Sequence, residues 1–107
     1  MKTSTSRPSS KLPNIHPGTV LEEEFLVPMD ISAYRLAKDI GIPQTRVSQI
    51  VKGDRRITAD TALRLSAYFV NSAKFWLGLQ ADFDLEEERR DKEKDLAAIP
   101  AARNRAA

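Results

Sequence analysis

Residues 32–53 read SAYRLAKDIGIPQTRVSQIVKG, two short helices joined by a tight turn. Ser32 is a good N-cap for the first, because its hydroxyl accepts from an amide that the opening turn leaves without a partner. Ile31 and Leu36 occupy the hydrophobic-staple positions on either side of that cap. Ala33, Leu36, Ala37 and Ile40 follow at i, i+3, i+4 and i+7, which makes one apolar face. Gly41 comes directly after the last of them, where a left-handed backbone costs glycine little. Pro43 is expected at N1 of the second helix, a position that needs no amide donor, and Gly53 closes that helix. Helix, glycine turn, helix is the pattern of a helix-turn-helix, and its second helix is the candidate reader of DNA.

The polar face of that second helix supports the reading. At ~100° per residue, Gln44, Thr45, Ser48, Gln49 and Lys52 share one arc, opposite Val47, Ile50 and Val51. An ordinary solvated helix would carry Glu and Lys there. Gln, Thr and Ser instead both donate and accept: Gln matches adenine bidentately, Ser and Thr suit several base edges, and the Thr methyl can meet a thymine methyl. A solvated amphipathic helix is the competing account of the same residues.

The chain has 107 residues, 41% of them hydrophobic and 7% aromatic, enough for one small helical core. With no cysteine, a disulfide framework is excluded, and a reducing compartment fits. Lys2, Arg7 and Lys11 precede no apolar run, so a secretory signal is not expected. No segment approaches the ~20 apolar residues of a membrane span. The expectation is a cytoplasmic protein without membrane, cofactor, metal or small-molecule substrate. An enzyme is not expected either: there is one histidine, no phosphate-binding glycine loop and no paired ligand motif.

The net charge of +2 matters less than its distribution. Arg35, Lys38, Arg46, Lys52, Arg55, Arg56 and Arg64 face only Asp39, Asp54 and Asp60 across residues 35–64. Residues 17–31 hold Glu22, Glu23, Glu24 and Asp30 and no basic residue. A basic excess around the helix-turn-helix suits a polyanion. Arg55 and Arg56, just past the reading helix, are placed to grip phosphate, which sets register without reading sequence; a solvated loop is the alternative.

The remainder frames this centre. Residues 1–14 are Ser- and Pro-rich, basic and nearly free of apolar groups, so disorder is expected, with a DNA-touching arm as the alternative. A first helix is expected over about 18–26, with Val20, Leu21 and Phe25 inward and Pro28 ending it. Glu22 to Glu24 favour the positive end of its dipole. His16 reads as a lead-in to that helix, ahead of a base or a metal ligand. Thr58 caps a fourth helix over about 59–69, with Ala62, Leu65, Ser66 and Phe69 on one face and Ala59, Leu63 and Val70 alongside. Ser72 caps a fifth, whose Phe75, Trp76, Leu79 and Phe83 share a face. Trp76 reads first as core, and the same face is a candidate dimer contact, since an operator reader gains from two-fold symmetry. From Glu86 the pairs Glu86–Arg90 and Glu88–Lys92 extend this helix as a solvated rod. Beyond it the tail frays at Pro100.

His16-Pro17-Gly18, Arg35-Leu36-Ala37, Ile57-Thr58-Ala59-Asp60-Thr61-Ala62-Leu63-Arg64-Leu65 and Phe75-Trp76-Leu77 together resemble the HigA (VapI-like) antitoxins, members of the phage-repressor-like (lambda-repressor-like, XRE) helix-turn-helix class. The likeness spans about residues 15–85. It implies an all-α fold, a five-helix DNA-binding domain over 15–85; the 1–14 leader and the charged helical extension, 86–107, reach past the family's common core. It implies a homodimer on a palindromic double-stranded operator, repressing its own operon. It also implies a small basic HigB-type ribonuclease toxin as partner; a stand-alone repressor is the alternative. By position, Gln44, Thr45 and Gln49 become base readers, with Ser48 and Lys52 near the edge. Arg35, Arg46 and Arg55 become phosphate contacts, joined by Ser32 and Arg56. Val70-Asn71 stands where the family often has Gly-Thr, and Ala73 where it often has Pro, so a shifted loop is expected there.

Overall fold

The computed structural model describes residues 12–102, and every regular element among them is helical. Helix α1 (Pro17–Val20) runs directly into a π-helical segment (Leu21–Leu26), and α2 (Ala33–Ile40), α3 (Gln44–Lys52), α4 (Ala59–Phe69), α5 (Ala73–Asp91) and α6 (Glu93–Ala97) follow. No helix of the described residues is long and apolar enough to cross a membrane.

Residues 15–83 form one compact unit. Leu21, Leu36, Val47, Ile50, Ile57, Leu65 and Trp76 are fully buried in it. The expected apolar faces of the first four helices account for most of this core, because a short helix gains its stability by burying such a face. Ile31 packs half-buried against the same cluster as Leu36, as a staple requires. The aromatic part of the core is a stack of Phe25, Phe69 and Phe75 around the Trp76 indole, with ring centres 4.9–6.1 Å apart.

Three expectations need correcting here. The first helix is not α-helical throughout: the Val27 amide donates to the Glu22 carbonyl five residues back, at 2.9 Å. The wider turn runs out in residues 27–30, where Asp30 is left-handed (φ 55), and Ile31 N–H then bonds Leu26 O at 2.9 Å. Pro43 is the N-cap of α3 and not its first helical residue: its ψ of 142° is extended, while its carbonyl accepts from Arg46 and Val47. Leu63 and Val70 lie outside the core, 62% and 88% exposed. At the loop before α5 the chain turns without glycine: Val70 itself adopts the left-handed C-cap conformation (φ 56, ψ 53).

The second unit comprises, among the described residues, 84–102 with 12–14. Its described part is a charged rod, as expected. Glu86 pairs with Arg89 and Arg90, each at 2.7 Å, and Lys92 with Glu88 at 2.8 Å. The rod is interrupted at Lys92 (φ −115, ψ 25), after which α6 begins. Residues 12–14 are tied down, contrary to the disorder expected there. Arg90 Nη2 donates to the Leu12 carbonyl at 2.6 Å, and Asn14 Nδ2 to Glu87 Oε2 at 3.0 Å. The proposed DNA-touching arm, Lys2, Arg7 and Lys11, and the end of the tail lie outside the described residues.

Candidate nucleic-acid interface

Local chemistry sets both ends of α2. Ser32 Oγ accepts from Arg35 N–H at 3.0 Å, and Gly41 turns the chain at φ 76. Ile42 is buried beneath the turn and its amide returns to Ala37 O at 3.1 Å. The guanidinium of Arg64 on α4 donates to the Ile40 carbonyl at 2.8 Å, satisfying one of the last acceptors of α2. Arg64 also pairs with Asp60 at 3.1 Å. It therefore braces the helix pair.

Helix α3 is anchored from below by Val47 and Ile50, each 1% exposed. Gln44, Thr45, Gln49 and Lys52 are exposed, while Ser48 and Arg46 are half-buried. The polar arc therefore faces away from the core along the whole helix. The turn His16-Pro17-Gly18 packs behind it: a Cβ on Gly18 would stand 1.7 Å from the Ile50 carbonyl oxygen. His16 Nδ1 accepts from Gly18 N–H at 2.9 Å, and the ring meets Phe83 edge-on at 4.9 Å. Its place is a cap and a packing surface, in keeping with the lead-in role.

The basic residues near α3 fall into two settings. Arg35 is exposed on α2 and its Nε donates to Asp39 at 2.8 Å; Asp39 also accepts from the Tyr68 hydroxyl at 2.7 Å. The Tyr68 hydrogen bond and then the Arg35 one hold the Asp39 carboxyl below its ordinary range. The same carboxylate pushes Arg35 and Tyr68 up. Arg55 and Arg56 are exposed in the loop after α3. Arg55 Nε donates to the side-chain oxygen of Gln49 at 2.8 Å. That loop is pinned by a buried group: Gln80 Oε1 on α5 accepts from Ile57 N–H at 2.7 Å, and Gln80 is 3% exposed.

The structure thus brings Gln44, Thr45, Ser48, Gln49 and Lys52 together on one helix, with Arg55 against Gln49. Of the four candidate dimer residues, Trp76 is wholly buried, and its indole N–H bonds Asn71 Oδ1 at 2.9 Å, so it faces no second chain. Phe75 is 40% exposed; Leu79 and Phe83 are half-buried. Sequence reading overlooked Gln80, Tyr68 and Asn71. Gln80 had a visible signal, since it stands four residues after Trp76 on the buried face of α5 and must find a partner there. Among the described residues no group of three or more His, Cys, Asp or Glu could hold a metal.

The family described as helix-turn-helix (HTH_3) matches residues 23–69. Virulence-associated protein I of Dichelobacter nodosus is 45% identical over 91 residues, 85% of this chain and 84% of that protein. Antitoxin HigA-1 of Vibrio cholerae is 35% identical over 82 residues, 77% of each chain. The solved structure of the Pseudomonas aeruginosa antitoxin HigA with the higBA promoter superimposes with a TM-score of 0.80 at 37% identity, covering 84% of this chain and 99% of that one.

Proposed function

The chain belongs to the helix-turn-helix family of the HigA antitoxins and VapI-like proteins, and from that footing we propose that it is a sequence-specific DNA-binding antitoxin repressing its own operon. The observation that carries the reading is the outward arc of α3, with Gln44, Thr45, Gln49 and Lys52 exposed over a Val47–Ile50 anchor. Entering the major groove, these side chains meet base edges, with Ser48 at the margin. Ser32, Arg35, Arg46 and Arg56 flank them as phosphate contacts, which hold the register.

The protein works as a homodimer on a palindromic operator, with half-sites about 34–36 Å apart. Phe75 on α5, with Leu79 and Phe83 beside it, supplies apolar surface for the pairing. Its second partner is a small basic ribonuclease toxin. The exposed carboxylates Glu22, Glu23, Glu24 and Asp30 are a face of matching charge.

The test is a mobility shift on the DNA upstream of its own reading frame, with and without the product of the neighbouring frame. A retarded complex whose affinity changes with that product is the expected result. An unretarded fragment overturns the DNA reading. A shift without any toxin in the neighbourhood favours the second reading, a stand-alone repressor, which uses the same α3 face.

A further inference from the structure

Gln49 differs from the other residues of the α3 arc in having its amide engaged by a named charged group of the protein. The engaged atom is unambiguous. A guanidinium carries five N–H donors and no acceptor, so Arg55 Nε, 2.8 Å away, meets the amide oxygen and not the NH2 group. Arg55 is itself held from both sides. Upstream, Gly53 reverses the chain at φ 87, and Asp54 N–H donates to the Gln49 main-chain carbonyl at 2.8 Å. Downstream, the buried Gln80 fixes Ile57 by its amide. The loop is thus folded back onto the last turn of α3, with Arg55 delivered to Gln49.

We infer that Arg55 is a positioning residue for Gln49: it retains the amide oxygen on its own side and leaves the NH2 group for the base edge, so that Gln49 reads as a hydrogen-bond donor. This rests on the DNA reading of α3 given above. An unheld Gln amide turns over and offers a base either a donor or an acceptor. A charge-assisted bond to the oxygen, stronger than a neutral one, selects one of the two. In the major groove the selected orientation suits purine N7, guanine O6 and thymine O4, and disfavours the cytosine amino group. A phosphate grip by Arg55 would act on every sequence alike.

The experiment selects duplexes from a randomised double-stranded DNA library with the full chain, then measures binding to the selected duplex and its single-base-pair variants. Wild type, Gln49→Ala, Arg55→Ala and the double variant are compared, with circular dichroism confirming the fold of each. Gln49→Ala flattens the preference at one base pair per half-site by roughly tenfold. Arg55→Ala flattens the same base pair to a similar degree, and adding it to Gln49→Ala changes that preference no further. If Arg55→Ala weakens every duplex equally and leaves that base preference standing, the residue grips phosphate and the positioning role is overturned, while the DNA reading stands. A Gln49→Ala protein with an unaltered preference at every base pair also overturns it. A wild-type chain that selects no sequence removes the DNA reading itself.

Discussion

Gly18 lies against Ile50 so closely that a Cβ on the glycine would meet the Ile50 carbonyl oxygen at 1.7 Å and the carbonyl carbon at 2.6 Å. The obstacle is helical backbone, which cannot rotate aside as a side chain would. Gly18 is therefore the residue that lets α1 press on the back of α3 and sets the height at which the polar arc stands above the core.

Gly18→Ala should destabilise the fold by about 3 kcal/mol, the upper part of the usual range for overpacking. Urea unfolding followed by Trp76 fluorescence measures it. A variant as stable as wild type would show that α1 can lift off α3 at little cost.

Val70 should respond in the opposite direction. A β-branched residue in the left-handed region costs roughly 1–2 kcal/mol, and this side chain, 88% exposed, recovers almost nothing by packing. Val70→Gly should raise stability by about 1 kcal/mol after glycine's larger unfolded-state entropy is counted. For a domain of this size that corresponds to roughly 4–8 °C in Tm. An unchanged or lowered Tm refutes the strain.

Gln80→Leu keeps the volume and deletes the acceptor, leaving the Ile57 amide buried without its partner. The expected loss is about 1–3 kcal/mol. Hydrogen exchange at Ile57 should accelerate more than exchange in the middle of α4. Uniform acceleration would mean that Gln80 serves the core generally and not this loop.

On DNA, the two kinds of contact separate by their signatures. Gln44→Ala should weaken binding to the selected duplex by about 1–3 kcal/mol and leave random DNA almost unaffected. Arg46→Ala should weaken both and lower the slope of log affinity against log salt by about one unit. Equal losses for Gln44→Ala on both duplexes would remove its base-reading role, and an unchanged slope would remove the phosphate role of Arg46.

Acid should act through Asp39. Its carboxyl lies below its ordinary value of 3.8, chiefly through the Tyr68 hydroxyl and then Arg35. A depressed folded-state pKa contributes stability above the unfolded value, which is lost as pH falls below 3.8 towards the lower folded one. Tyr68→Phe should move the Asp39 titration upward and shrink that acid-side loss. Carboxyl NMR reads both, and an unmoved Asp39 titration would show that Arg35 suffices.

The helix boundaries and the polar arc were legible in the chain because their causes act within a few residues. Ser32, Thr58 and Ser72 each accept from an amide three positions on. Gly41 and Gly53 take the left-handed conformation that ends a helix, and 3.6-residue periodicity alone separates Gln44 and Gln49 from Val47 and Ile50. Tertiary structure decided what depends on residues far apart in the chain. Periodicity could place Trp76 on the same face as Phe75, but only the packing of Phe25 and Phe69 around it determined that the indole is sealed while Phe75 stays partly open. The Gln80–Ile57 bond spans 23 residues and the Tyr68–Asp39 bond 29, separations at which no local propensity acts. The widened turn after Val20 and the close seat of Gly18 on Ile50 likewise follow from how helices meet. Sequence set which surface of α3 is polar; the packing behind it fixed how that surface is held.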